Sequence, residues 1–171
     1  TTASQVTITN SLFDRIVTSD YMDYGTNANN ATRGGIIANS RSTVTIKDTV
    51  FSNNSISNPY GMINTYLGIT SIYGTAQADG TASTRFENNT NQSKYLLGSL
   101  VAGLGSTITL HGENIYNADG TVKYYGISMT GNTANVTNDG NGYGFIYGGT
   151  TTSWFNNDGN EAASRPSVTI D

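Results

Sequence analysis

The sequence predicts an all-β fold made by stacking a repeated unit of short strands, and three observations predict it. The first is an ungapped internal repeat: residues 98–110, GSLVAGLGSTITL, match residues 34–46, GGIIANSRSTVTI, position for position. The second is the character of the repeated runs. Ile36-Ile37-Ala38 and Thr43-Val44-Thr45-Ile46 are rich in β-branched residues and are separated by the turn-prone Asn39-Ser40-Arg41-Ser42, which is the pattern of two short strands around a corner. The third is a recurring segment in which an apolar residue is followed three positions later by Asn. It occurs at Phe51-Ser52-Asn53-Asn54, Phe86-Glu87-Asn88-Asn89 and Met129-Thr130-Gly131-Asn132.

Taken in order, the chain opens inside a unit. Val6-Thr7-Ile8 through Phe13 repeats the spacing of Val44-Thr45-Ile46 through Phe51. Unit starts follow at Gly34, Tyr60, Gly98 and Tyr143, with Ile69–Ile72 and Thr107–Leu110 as further copies of the second strand and Ser167–Asp171 as the last. The bare unit is about 26 residues, and the later ones are longer because they carry insertions. The insertions are expected between the second strand and the apolar-x-x-Asn segment, each holding the same turn, Ala78-Asp79-Gly80-Thr81 and Ala118-Asp119-Gly120-Thr121. Asp-Gly turns a chain readily because Gly takes φ > 0 at no steric cost. Further excursions are expected at 21–30 and 135–142.

A unit this short cannot bury an apolar face alone, but stacked on copies of itself it can. Equivalent positions then form ladders. Phe13, Phe51, Phe86 and Met129 make one, Ile37, Ile63, Val101 and Ile146 a second, and Ile46, Ile72 and Leu110 a third. Asn54, Asn89 and Asn132 are expected to form an amide ladder at a left-handed corner. The predicted architecture is a right-handed parallel β-helix, a β-solenoid of about four to five coils in one domain spanning 1–171. A sandwich or jelly roll also has short strands and many turns, but it does not need ungapped repeats. Both ends fall at the same strand without a polar cap, so the chain is expected to be a segment of a longer solenoid or to stack end to end on its own copies.

Composition narrows the function classes. Hydrophobic residues make up 36% and charged ones only 12%, which fits a turn-rich β chain rather than a charged, disordered one. A net charge of −4, with eight Lys and Arg scattered along the chain, argues against nucleic acid as a partner. There is no cysteine, so neither a thiolate metal site nor a disulfide framework is expected. No run approaches a membrane-spanning length, and no signal peptide opens the chain; if exported, it is a mature form or an excised piece.

Gly34-Gly35-Ile36-Ile37 with Phe51-Ser52-Asn53-Asn54, and the second motif again at Phe86–Asn89, resemble the paired short motifs of polymorphic outer-membrane proteins. More broadly they resemble the β-helical passengers of autotransporter adhesins and other pectin-lyase-like surface proteins. Tyr60-Gly61 and Gly98-Ser99 depart from the double Gly, and Met129 from Phe. The resemblance implies fold and a cell-surface location, and carries over no catalytic residue.

Candidate chemistry is sparse. His111, the single histidine, follows the Thr107–Leu110 strand without an evident nucleophile or further ligands. Paired carboxylates could cleave glycosides, but most acids lie in turns or at strand ends, and Asp20 and Asp23 with Tyr21 and Tyr24 form the one dense acid–aromatic loop. Asn138–Gly142 and Asn156–Asn160 are oxygen-rich turns without a calcium-loop spacing. Thr43/Thr45, Thr107/Thr109 and Thr150/Thr152 suggest an outward threonine array of the kind that binds ice, which Val6-Thr7-Ile8 and Ile69-Thr70-Ser71 are expected to break. Tyrosine is more informative. Tyr21, Tyr24, Tyr73, Tyr116, Tyr124 and Tyr125 fall in loops beside Asn, Ser and Gly, a composition suited to recognition surfaces.

The expected function is therefore a non-enzymatic extracellular or bacterial cell-surface segment, an adhesin or structural stalk, anchored in the outer membrane through regions outside this chain. Its expected partner is a host surface protein or glycan, through loops 20–30, 74–82, 112–126 and 135–142, with no cofactor. Deleting 74–82 is expected to leave the fold intact and weaken adhesion. The alternatives are a tailspike-like polysaccharide depolymerase and a self-assembling filament subunit.

Overall fold

The computed structural model describes residues 4–18, 35–58, 60–92, 100–134, 145–149 and 167–171. Every element among them is a strand. The first layer holds β1 (Gln5–Thr9) and β2 (Leu12–Asp14). The second holds β3 (Ile37–Ser40), β4 (Thr43–Lys47), β5 (Val50–Ser52) and β6 (Ser55–Ile56). The third holds β7 (Ile63–Tyr66), β8 (Ile69–Thr75), β9 (Thr84–Glu87) and β10 (Thr90–Asn91). The fourth runs through β11 (Val101–Leu104), β12 (Thr107–Glu113), β13 (Ile115–Tyr116), β14 (Val122–Tyr124), β15 (Ile127–Thr130) and β16 (Thr133–Ala134), and β17 (Ile146–Gly149) and β18 (Ser167–Ile170) follow.

Strands pair with their equivalents from neighbouring layers, and those pairings are parallel. One sheet runs β1-β4-β8-β12-β18, a second β2-β5-β9-β15 and a third β6-β10-β16. On the remaining side β3 pairs with β7 and β11 with β17. There, the Ile63 N–H donates to the Leu100 carbonyl at 2.9 Å and the Leu67 N–H to that of Leu104 at 3.0 Å. An isolated strand would leave all its backbone N–H and C=O groups unpaired; stacking layers pairs them.

The register puts like on like. Phe13 aligns with Phe51, Phe51 with Phe86 and Phe86 with Met129. The Phe13–Phe51 and Phe51–Phe86 rings stack with centroids 4.9 Å apart and planes 5° from parallel. That distance is close to the strand spacing of about 4.8 Å. It exceeds ring thickness, so the rings are offset, the arrangement their quadrupoles favour. Ile8, Ile46, Ile72, Leu110 and Ile170 form a second ladder. Ile37 with Ile63, and Val101 with Ile146, form a third. Phe51, Phe86, Ile46, Ile63, Ile72, Val101 and Ile108 are fully buried and belong to one apolar core.

Corners are made by single left-handed residues. Arg41, Leu67 and Gly105 follow β3, β7 and β11; Asn10 and Asp48 follow β1 and β4; Arg15, Asn53, Asn88 and Gly131 follow β2, β5, β9 and β15, all with φ between 49° and 65°. A non-glycine residue pays about 1–2 kcal/mol for that conformation, and pairing across layers holds it there. The N–H groups of Asn10, Arg15, Asn53 and Asn88 reach the carbonyls of Lys47, Ser52, Glu87 and Thr130 at 2.9–3.2 Å.

The amide ladder forms, with one correction. The left-handed residue is not Asn54, Asn89 or Asn132 but the residue before it, which frees the ladder Asn to point inward. The Asn54 and Asn89 side chains are buried. Asn54 donates from its backbone N–H and from Nδ2 to Asn89 Oδ1 (3.1 and 2.8 Å). Asn89 donates in the same way to Asn132 Oδ1 (3.1 and 2.9 Å). Each Nδ2 also reaches a carbonyl of the layer below: Phe13 for Asn54, Phe51 for Asn89 and Phe86 for Asn132. In the first layer Ile16 takes the ladder position and donates its N–H to Asn54 Oδ1 at 2.9 Å.

A second correction concerns strand length. The expected strands Ile69–Ile72 and Thr107–Leu110 continue to Thr75 and Glu113, and Tyr73, Gly74 and Thr75 pair with His111, Gly112 and Glu113. The proposed deletion of 74–82 would therefore cut into a paired strand; the turn proper lies within 77–81. The expectations placed on Tyr21, Tyr24, the loops 20–30 and 135–142, Thr150/Thr152 and the oxygen-rich turns Asn138–Gly142 and Asn156–Asn160 fall outside the described residues. No helix among the described residues is long and apolar enough to cross a membrane.

Candidate functional site between two insertions

Both insertions leave the stack at the corner between the long strands and the Phe strands. In the first, the Gln77 N–H donates to the Thr81 carbonyl (2.8 Å) and the Gly80 N–H to that of Gln77 (3.0 Å), with Gly80 at φ 92°. The second repeats this with Asn117, Thr121 and Gly120, but on an antiparallel hairpin of β13 and β14. The hairpin returns at Gly126, which lies against Gly74. A Cβ on Gly74 would stand 2.1 Å from the Gly126 carbonyl oxygen, and one on Gly126 would stand 2.3 Å from the Gly74 oxygen. Only glycine permits that approach.

Each turn is fastened by its aspartate. Asp79 Oδ1 accepts the Thr81 N–H and hydroxyl at 2.9 and 2.7 Å, and Asp119 does the same for Thr121 at 2.9 and 2.6 Å. These bonds favour the charged carboxylate and hold Asp79 and Asp119 below the usual aspartate range. Asp14 is also lowered, chiefly by donation from the Asn53 side chain and then from Ser52. A lowered folded value adds stability that is present above the unfolded aspartate pKa of about 3.9 and is lost as pH falls through the folded values. The melting temperature is thus expected to drop as pH falls below about 4, and to drop less when Asp79→Ala and Asp119→Ala are combined; an equal drop in that variant would refute the assignment. At the alkaline end burial pushes Tyr60 up to about 12, so its contribution is full below about pH 10 and is lost as pH rises toward the folded value.

Between the insertions lies an open cleft of about 600 Å³, within the range of ligand pockets. Its floor is the outward face of β9 and β15. Phe86 and Met129 point in, so Arg85, Glu87, Ser128 and Thr130 point out and line the cleft. Arg85 Nε meets Glu87 Oε1 at 2.9 Å, and an η-nitrogen of Arg85 donates to the Ala82 carbonyl at 2.8 Å. One wall is the first turn, at Gly80, Thr81 and Ala82; the other is Lys123, Tyr124 and Tyr125. A Cβ on Gly80 would come within 3.1 Å of the Tyr124 ring, and Lys123 Nζ sits 5.0 Å from that ring's centre. Tyr125 is 62% exposed.

Of the tyrosines singled out by sequence, Tyr124 and Tyr125 meet in this cleft. Tyr116 is on the same hairpin, paired across it with Val122 and 57% exposed. Tyr73 is elsewhere, on the outer face of the five-stranded sheet, with its ring edge-on to His111 at 5.9 Å. His111 Nδ1 lies 3.0 Å from Asp171 Oδ1, a contact that helps fasten β18 to β12. Arg85, Glu87, Ser128 and Thr130 were missed by sequence reasoning, although aligning the strand Thr84–Glu87 with Ile127–Thr130 about inward Phe86 and Met129 would have placed all four outward. The threonine array is interrupted as expected at Ile69, between Thr43 and Thr107, but Thr7, Thr45, Ser71, Thr109 and Thr169 make one continuous hydroxyl column. Among the described residues no group of three or more His, Asp or Glu stands close enough to hold a metal ion.

What fold and site define at this point is an all-β chain of stacked parallel strands with an open polar–aromatic cleft between two projecting hairpins. Comparison with protein-family models, with curated proteins and with solved structures found no match.

Proposed function

We propose that this chain is a segment of a right-handed parallel β-helix displayed at a cell surface or secreted, and that it acts as a non-enzymatic adhesin or stalk whose insertions carry the binding surface. The observation that carries the reading is the pair of insertions, built on the same turn, leaving the stack at equivalent corners and enclosing one cleft. A rigid stack with variable loops at one corner is how repeat proteins separate scaffold from recognition. The resemblance to β-helical surface passengers supports the location, with anchorage through regions outside this chain.

The test shortens one wall. Replacing residues 115–125 with a turn like that at 77–81, in the protein displayed on cells, is expected to keep β-sheet circular dichroism and cooperative melting while cell adhesion falls to background. Unchanged adhesion, or loss of folding, would overturn the assignment.

Of the two other readings, only self-association has support of its own. A polysaccharide depolymerase would need a second carboxylate beside Glu87; Glu87 is the carboxylate lining this cleft, and Arg85 engages it. A reducing-sugar assay separates the two readings. End-to-end self-association is supported by β1 and β18, the outermost strands of the described five-stranded sheet, and by Ile170, the last member of an inward apolar ladder, which is 67% exposed. Sheet edges of this kind pair readily with further strands.

A further inference from the structure

We propose that the cleft between the hairpins takes a neutral oligosaccharide, with Tyr125 as its stacking platform and the Arg85–Glu87 pair as its hydroxyl reader; this rests on the binding-loop reading above and names its ligand class. The two tyrosines of the wall are not equivalent. Tyr124 is already occupied, with Gly80 against its ring and the Lys123 ammonium 5.0 Å from its centre. It holds the two hairpins together and is a positioning residue. Tyr125 is 62% exposed, a rigid apolar face with a polar tip, the combination that suits a sugar ring with its C–H face and hydroxyl rim.

The floor itself favours a neutral ligand: Arg85 is paired with Glu87 at 2.9 Å, so the strands beneath the ligand select no ion. Lys123 keeps its charge on the wall, beside the Tyr124 ring. What the floor offers instead is paired hydrogen bonding. Guanidinium has five N–H donors; one goes to Glu87 and one to the Ala82 carbonyl, leaving others for a ligand oxygen. Glu87 keeps an oxygen that accepts. A donor and an acceptor held side by side match the two hydroxyls of a vicinal diol, each of which both gives and takes a proton. The Ser128, Thr130 and Thr81 hydroxyls line the same space and extend the match along a short chain of sugars.

Calorimetric titration of the purified chain with cellotriose, laminaritriose, mannotriose and N-acetyllactosamine, and with trigalacturonate as the acidic counterpart, tests this. Saturable binding of a neutral sugar is expected, weakened about tenfold or more by Tyr125→Ala, as for an aromatic hot spot, and weakened again by Glu87→Leu. Lys47→Ala, on the five-stranded sheet, is expected to leave it unchanged. No binding by any neutral sugar, tighter binding of trigalacturonate, or undiminished binding by Tyr125→Ala would overturn the proposal. If shortening the 115–125 hairpin abolishes adhesion while no neutral sugar binds, the ligand class falls and the loop reading stands. If adhesion survives that change, the loop reading falls and this inference falls with it.

Discussion

Replacing Asn89 with leucine is expected to cost about 3–5 kcal/mol, near the upper end of single-substitution effects. Leucine keeps asparagine's skeleton of four heavy atoms branched at Cγ, so the cost comes from hydrogen bonds rather than from an empty space. Asn89 Oδ1 accepts from the backbone N–H and Nδ2 of Asn54. Its Nδ2 donates to the Phe51 carbonyl and to Asn132 Oδ1. Leucine makes none of these. The Asn54 backbone N–H at its buried corner then has no acceptor, while its Nδ2 keeps the Phe13 carbonyl; leaving such an N–H unpaired costs about 1–3 kcal/mol by itself. The effect should reach two layers, because Asn54 loses both bonds to the side chain at 89 and Asn132 Oδ1 keeps only the backbone N–H of residue 89. Urea denaturation should show a lower midpoint with little change in slope. A shift of less than about 1 kcal/mol would mean that the ladder does not carry the corner.

Phe51→Ala is expected to cost about 3–5 kcal/mol. Phe51 is fully buried and stacked on both faces, by Phe13 below and Phe86 above. Backbone pairing fixes the layer spacing, so the stack cannot collapse to refill the space, and the cavity persists. The same change at Phe13, only partly buried in the first described layer, should cost distinctly less. Chemical denaturation of both variants checks the order. Equal losses would contradict a ladder whose middle members are held from two sides.

How much of this was readable beforehand depends on what the repeat carries. The apolar ladders were legible because an ungapped repeat such as 34–46 against 98–110 aligns the same inward residue in every layer, and parallel pairing keeps it there. Phe51 over Phe86 follows from spacing alone. Corner conformation was less legible. Asn53 and Asn54 are chemically identical, and only the backbone decides that Asn53 takes φ 53° while Asn54 turns inward. Leu67 and Arg41 at left-handed corners could not be guessed, since tertiary pairing overrides their preference. The extra three residues of β8 and β12 were hidden because Tyr73-Gly74-Thr75 does not alternate in polarity, and Gly74 is there for its contact with Gly126.

The candidate site was half visible. Tyr124 and Tyr125 stood out by type, but that Tyr124 is held by Gly80 depends on how two hairpins lean on each other, which no local pattern records. Nothing local marks Arg85 and Glu87, and only register with Ser128 and Thr130 makes them the floor of a cleft. Tyr73 belonged to the same chemical class and went to a different face.

Engineered disulfides test the stacking most directly, because the chain has no native cysteine. Thr45 and Ser71 are register partners on adjacent parallel strands, whereas Thr45 and Thr169 lie on the same column with β8 and β12 between their strands. Cα atoms about 4.8 Å apart fall within disulfide reach. Thr45→Cys with Ser71→Cys should therefore form an intramolecular disulfide under mild oxidation, detected by mass spectrometry after proteolysis, and Thr45→Cys with Thr169→Cys should not. Failure of the first pair, or efficient closure of the second, would contradict the stacking of successive layers.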